Sequence, residues 1–136
     1  MIRIVIVEHN ANLPGYFAFN LQQAGYEVKP LPDGAVLDAW LVKCEADLLV
    51  FDSDSPCGEG GGFVPARLRQ ARPKLGIVML ANQGSYDERV QCLEQGADAY
   101  LTKPVDIREL LAVIRAVARR LDNTGMKCAY AANAKT

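Results

Sequence analysis

Three observations predict an α/β domain built on a doubly wound, five-stranded parallel sheet. First, strand and helix signals alternate five times along the chain. Second, three short apolar runs end abruptly in charge. Ile4-Val5-Ile6-Val7 runs into Glu8-His9, Leu48-Leu49-Val50-Phe51 into Asp52, and Ala99-Tyr100-Leu101-Thr102 into Lys103-Pro104. Strands buried on both faces read as continuous apolar runs of this kind, and parallel sheets are buried on both faces. Third, successive βα units with right-handed crossovers place helices on both sides of the sheet. Ligands of open α/β sheets sit at the carboxyl ends of the strands, near the point where strand order reverses. The charged residues at the three run ends should therefore converge on one pocket.

The elements follow in order. Ile2–Val7 is a strand. Asn12 can cap a helix with Pro14 in its first turn, Phe17, Leu21 and Ala24 on one face, and Gly25 as its stop. Tyr26–Leu31 is more polar and alternating, which suits an edge strand. Asp33 caps a helix that turns Leu37, Trp40, Leu41 and Cys44 inward. Asp47–Phe51 is the most apolar strand and should be central. The loop after it holds Ser53, Asp54, Ser55, Pro56, Cys57, Gly58, Glu59, Gly60, Gly61 and Gly62. A short helix over about Phe63–Ala71 ends before Pro73. Leu75–Leu80 is the fourth strand. Ser85 and Glu88 form a capping box that opens a helix ending at Gly96. Ala99–Leu101 is the fifth strand. Asp106 caps the last helix, whose apolar stripe is Ile107, Leu110, Leu111, Ile114, Ala118 and Leu121. Val113 and Val117 widen that stripe beyond what one sheet face needs. From Asn123 onward the chain is small and polar, without periodicity.

Composition is that of an ordinary globular domain. The 136 residues are 50% hydrophobic and 23% charged, with a formal charge of -1, so no strong field favours nucleic acid or an anionic membrane. No apolar run approaches the roughly 20 residues that span a bilayer, and Ile2 to Val7 is too short for a signal region. The cytoplasm is the expected location. Cys44, Cys57, Cys92 and Cys128 are far apart and form no C-x-x-C pair, which argues against zinc and for reduced, semi-buried thiols.

With these residues in place, the chain resembles the receiver domains of bacterial two-component response regulators over about residues 1–121, leaving 122–136 as a tail or the start of a linker. In that family an acidic pair follows the first strand, where Glu8-His9 stands. The phosphoacceptor aspartate ends the third strand with a proline four residues later, as Asp52 and Pro56 do. A Ser or Thr ends the fourth strand, at the position of Ala81. An aromatic residue lies in the fifth strand, matched by Tyr100, and Lys103-Pro104 matches the Lys-Pro pair whose peptide bond is cis. The resemblance implies strand order 2-1-3-4-5, the CheY-like, flavodoxin-like arrangement.

It also implies a chemistry. Asp52 would take a phosphoryl group from a sensor histidine kinase. Mg2+ would be bound by Asp52, by Glu8 of the acidic pair and by the backbone carbonyl of Asp54. Lys103 would pair with a phosphoryl oxygen. A carboxylate is a modest nucleophile, so such a site works by positioning and by nearby positive charge. Two residues depart from the pattern. His9 offers an imidazole where magnesium, a hard ion, prefers oxygen. Its loss of one negative charge weakens the metal site, unless it turns to solvent and leaves Glu8 and Asp52 to suffice; protonated, it could instead pair with Asp52. Ala81 lacks the hydroxyl that, in the family, bonds the phosphoryl group and lets the aromatic residue, here Tyr100, turn inward. The glycines of residues 58–62 match no phosphate-loop spacing and read as a flexible loop. Arg115, Arg119 and Arg120 suit the carboxyl end of a helix or a basic partner face.

The function expected is a signalling receiver that acts through its fourth-helix, fifth-strand, fifth-helix face, in keeping with control of transcription. The apolar width at Val113 and Val117 is compatible with a homodimer there. Direct nucleic-acid binding by this domain and membrane association are not expected, and the chain is not expected to be an enzyme beyond self-catalysed phosphorylation and dephosphorylation. The alternative is a pseudo-receiver, a protein-interaction module that works without phosphorylation. A flavodoxin-like cofactor binder would need a hydroxyl- and glycine-rich loop after the first strand, and Glu8-His9-Asn10-Ala11-Asn12 is the wrong chemistry for an anion.

Overall fold

The structure, a computed structural model, describes residues 2–7, 15–32, 34–52, 63–81 and 86–123. Five strands and five helices alternate: β1 Arg3–Val7, α1 Tyr16–Gln23, β2 Glu27–Leu31, α2 Gly34–Lys43, β3 Leu48–Asp52, α3 Phe63–Ala71, β4 Gly76–Ala81, α4 Tyr86–Gln95, β5 Ala99–Thr102 and α5 Ile107–Asn123. All neighbouring strands are parallel, in the order β2-β1-β3-β4-β5. This is the doubly wound sheet that the sequence predicts, with β3 central and β2 at an edge. Pro30, which has no N–H to give a ladder, lies in that edge strand.

The continuous apolar runs divide by the two-residue period of a strand. Val5, Val7, Leu49, Phe51, Ile77, Met79, Ala81 and Tyr100 face one layer, with Leu37 and Leu41 of α2, Leu68 of α3 and Cys92 of α4. Ile4, Ile6, Leu48, Val50, Val78, Leu80 and Leu101 face the other, with Ala18 and Leu21 of α1 and Leu110, Ile114, Val117 and Leu121 of α5. Three helices therefore cover one face and two the other. Among the described residues, Asp52 is the one charged side chain classed as buried.

Several local expectations change in detail. The described α1 begins at Tyr16 behind Gly15, which makes no side-chain cap; Asn12 and Pro14 lie outside the described residues. Ala24 is exposed at the helix end, and Ala18 takes the buried place, because Ala24 is already the C-cap. Gly25, at φ +103°, closes α1 as a Schellman turn, with Gly25 N–H donating to Gln22 O and Tyr26 N–H to Leu21 O. Gly96, at φ +136°, closes α4 in the same way.

In α5 the buried positions are Leu110, Ile114, Val117 and Leu121, while Ala118 is only partly buried. Val117 is thus part of the monomer core rather than spare apolar width, and Val113 packs partly against the same layer. The close approach of α5 to β4 depends on Gly76. A Cβ there would lie 2.8 Å from Val117 Cγ1 and 3.2 Å from Leu48 Cγ. Asp106 caps α5 as expected, its Oδ1 accepting from Arg108 N at 2.8 Å. Cys44 and Cys92 are free thiols, the first half-buried and the second buried. Asp33, Ser85, Cys57, Cys128 and the glycine-rich loop lie outside the described residues.

Candidate functional site

The site forms where the carboxyl ends of three adjacent strands meet. Asp52 is the last residue of β3 and pairs in register with Leu80 of β4. Lys103 directly follows β5, on the far side of β4. Its Nζ reaches across to donate to Asp52 Oδ2 at 2.7 Å, although 51 residues separate the two. Their side chains are 12% and 22% exposed, so this charge-assisted bond is largely shielded from water. The Lys103–Pro104 peptide bond is cis. Lys103 N donates to Ala81 O at 2.7 Å, which ties the end of β5 to the end of β4.

Ala81 ends β4 with 1% of its surface exposed. Tyr100 lies in β5 on the same sheet face, 6% exposed. The phenol is turned inward, into the layer that holds Met79, Ala81, Cys92 and Ala97. Burial first, then the negative charge of Glu88, raises the Tyr100 pKa above its ordinary value of 10.0; the charge of Arg89 works against this. No hydrogen bond of full geometry reaches its hydroxyl among the described residues, although Glu88 is near enough to act on it. Cys92 is likewise raised above 9.0, by burial and then by Glu88. Sequence reasoning saw Glu88 only as a capping partner. Its position beside Tyr100 depends on how α4 sits over β5, which no local pattern records.

Of the residues singled out from sequence, the structure brings together Asp52, Lys103 and Ala81, with Tyr100 behind them. Glu8, His9 and Asp54 lie outside the described residues, as does Pro56. Asp52 supplies an oxygen donor of the kind magnesium takes. Among the described residues no group of three metal-ligating side chains occurs. Two cavities, of about 280 and 340 Å³, open at the opposite, amino-terminal end of the sheet, lined respectively by Arg69, Asp98 and Arg120 and by Glu45, Arg72 and Lys74, among others. Asp52 and Lys103 line neither, and the candidate site is defined by strand-end geometry rather than by cavity size. Arg120 is drawn to Asp98 at 3.7 Å, while Arg115 and Arg119 are exposed. No helix among the described residues is long and apolar enough to cross a membrane.

Known proteins share both the sequence pattern and the fold. The response regulator receiver domain family matches residues 4–115. The DNA-binding dual master transcriptional regulator RpaA of Synechocystis is 34% identical over 123 residues, which are 90% of this chain and 51% of that protein. The sensory transduction protein RegX3 of Mycobacterium tuberculosis is 38% identical over 120 residues, 88% of this chain and 52% of that protein. The chain spans about half the length of these curated relatives. Among solved structures, a CheY-like response regulator receiver domain protein from Methanospirillum hungatei superposes with a TM-score of 0.84 at 27% identity, over 92% of this chain and 99% of that one. Strand order, strand-end chemistry and these likenesses agree, and the chain belongs to the response regulator receiver domain family.

Proposed function

We propose that this receiver accepts a phosphoryl group on Asp52 from a sensor histidine kinase and passes the signal to an output segment that controls transcription. The single observation that carries the reading is the 2.7 Å bond between Lys103 Nζ and Asp52 Oδ2 at the mouth of the sheet. A carboxylate held against an ammonium is oriented, and positive charge waits where the transferred group's negative charge arrives. In the transfer, an Asp52 carboxylate oxygen forms a bond to phosphorus as the kinase's phosphorus–nitrogen bond breaks. The leaving imidazole takes up a proton. Water later cleaves the acyl phosphate and restores the carboxylate.

Glu8, Asp52 and the carbonyl of Asp54 are the residues that would hold Mg2+, with His9 a poor substitute for an oxygen ligand. When bound, the ion supplies positive charge against the phosphoryl oxygens. The signal would leave through the face made by α4, β5 and α5, within a receiver of residues 1–121, in the cytoplasm. The likeness to RpaA supports transcriptional output, carried by chain beyond the receiver rather than by this domain's own contact with DNA. A homodimer through the same face would have to use residues other than Val117, which the core already buries.

Ala81 favours a second reading, the pseudo-receiver that binds partners without phosphorylation, because its methyl cannot bond a phosphoryl oxygen. The two readings separate on incubation with magnesium and a small phosphodonor, followed by intact mass. A phosphoryl adduct on the wild-type chain, absent from Asp52→Asn, supports the acceptor. No adduct even with a cognate kinase leaves the pseudo-receiver.

A further inference from the structure

The cavity of about 280 Å³ at the amino end of the sheet joins an apolar floor to a cationic rim. Leu75, Ala97, Val117 and Leu121 line it and are each at most 8% exposed, which makes them the floor. Arg69, Lys74 and Arg120 line it too, with Asp98 as the one acid among the lining residues. Three cations against one acid leave the cavity at a net charge of +2, in a chain whose formal charge is -1.

The three cations are not equivalent. Arg69 is part of the wall. Its five N–H donors are all spent on Pro73 O, Leu75 O, Gly96 O and Asp98 Oδ2, at 2.6–3.2 Å. These bonds fix the corner before β5 and hold the cavity in one shape, as a preformed site requires. Arg120 and Lys74 are placed otherwise. Arg120 Nη2 lies 3.7 Å from Asp98 Oδ1, too far for a hydrogen bond, and its side chain is 59% exposed. Lys74 is exposed and enters no ion pair among the described residues. Asp98 is already engaged by Arg69 and by Ile77 N, so these two cations keep positive charge to offer.

A guanidinium fork beside an ammonium suits a carboxylate. The floor suits a hydrocarbon body. A cavity of roughly 150 Å³ holds benzene, so this one admits one or two rings. An inorganic anion would leave the floor unused, and a neutral apolar molecule would leave the cations unused. Residues 124–136 hold Lys127 and Lys135 and no acidic side chain, so this stretch does not match the charge.

We propose that this cavity binds a small aryl carboxylate, its carboxylate on Arg120 and Lys74 and its rings on Leu75, Ala97, Val117 and Leu121. Arg120 belongs to the last turn of α5, so the bound anion would join that turn to the corner between α3 and β4. The site is remote from Asp52 and stands whether or not that residue is the acceptor.

The test titrates 2-naphthoate into the isotope-labelled full chain and follows the backbone amide resonances. Saturable shifts should centre on Leu75, Gly96, Ala97 and Asp98, with a Kd of about 1 mM or tighter. Acetate, which lacks the rings, and 2-naphthylmethylamine, which reverses the charge, should each bind about tenfold more weakly. Arg120→Glu and Lys74→Glu change exposed residues that the core does not use. Each should weaken 2-naphthoate by about fivefold, while Asp52→Asn should leave it unchanged. Shifts centred elsewhere, or no saturation by about 10 mM, would overturn the proposal. So would equal binding of acetate or the amine, or charge reversals at both Arg120 and Lys74 without effect.

Discussion

At the scale of single residues, the bond from Lys103 to Asp52 organises the site, and its loss should be felt in the chemistry. A hydrogen bond to a charged group contributes about 1.5–3 kcal/mol. Lys103→Met should therefore slow adduct formation from a small phosphodonor by roughly tenfold or more, read as the rate of mass increase. Lys103→Arg, which keeps the charge but changes its shape, should fall between the two. Unchanged rates in Lys103→Met would remove the ammonium from the account. Gly76 tests packing at the same scale. Gly76→Ala puts a methyl 2.8 Å from the stiff Val117 side chain. It should destabilise by about 1–3 kcal/mol in denaturant unfolding, and Val117→Ala in the same chain should recover part of the loss. Asp52 and Lys103 were legible in sequence because each ends an apolar run. The contact of Glu88 with the Tyr100 environment was not, because it depends on the packing of a helix over a strand.

At the scale of elements, the strands were the most legible, since burial on both faces leaves a plain apolar signature. The α5 helix shows the limit. Its period placed the stripe correctly to within one position, but Val117 rather than Ala118 is buried. Ile114, Val117 and Leu121 fit one helix face, and so do Ile114, Ala118 and Leu121. The packing of Val117 over Gly76 of β4, where a Cβ would lie 2.8 Å from Val117 Cγ1, is a tertiary fact that periodicity alone does not contain. The cap of α5 yields a pH prediction. Arg108, through its side-chain and backbone hydrogen bonds, holds Asp106 below its ordinary value of 3.8. A depressed pKa adds stability that is present above the unfolded value and lost as pH falls through the folded one. Asp106→Asn keeps a capping oxygen but not the charge. The stability difference between wild type and Asp106→Asn should thus be constant near neutrality and vanish as the pH drops below about 4. A difference that persists in acid would assign the effect to the cap alone.

At the scale of the molecule, the two ends of the sheet have different tasks. The carboxyl ends carry Asp52 and Lys103. The amino ends of β4 and β5 are bound together by Arg69, whose guanidinium donates to Pro73 O, Leu75 O, Gly96 O and Asp98 Oδ2 at 2.6–3.2 Å. Asp98 Oδ2 also accepts from Ile77 N at 2.8 Å. This network joins the end of α3 to the corner before β5. Because Arg69→Met would strand several part-buried acceptors, it should cost about 2–4 kcal/mol in unfolding free energy without abolishing adduct formation at the distant site. Fold class and the convergence of Asp52 and Lys103 were readable from the chain; this amino-end network was not, since Arg69 and Asp98 look like ordinary surface charges in sequence. The central claim is that Asp52 is the acceptor. The most direct measurement is borohydride trapping after incubation with magnesium and a small phosphodonor, followed by peptide mapping. The account predicts reduction of residue 52 alone, with none in Asp52→Asn. Reduction at another carboxylate, or an adduct that survives in Asp52→Asn, would contradict it.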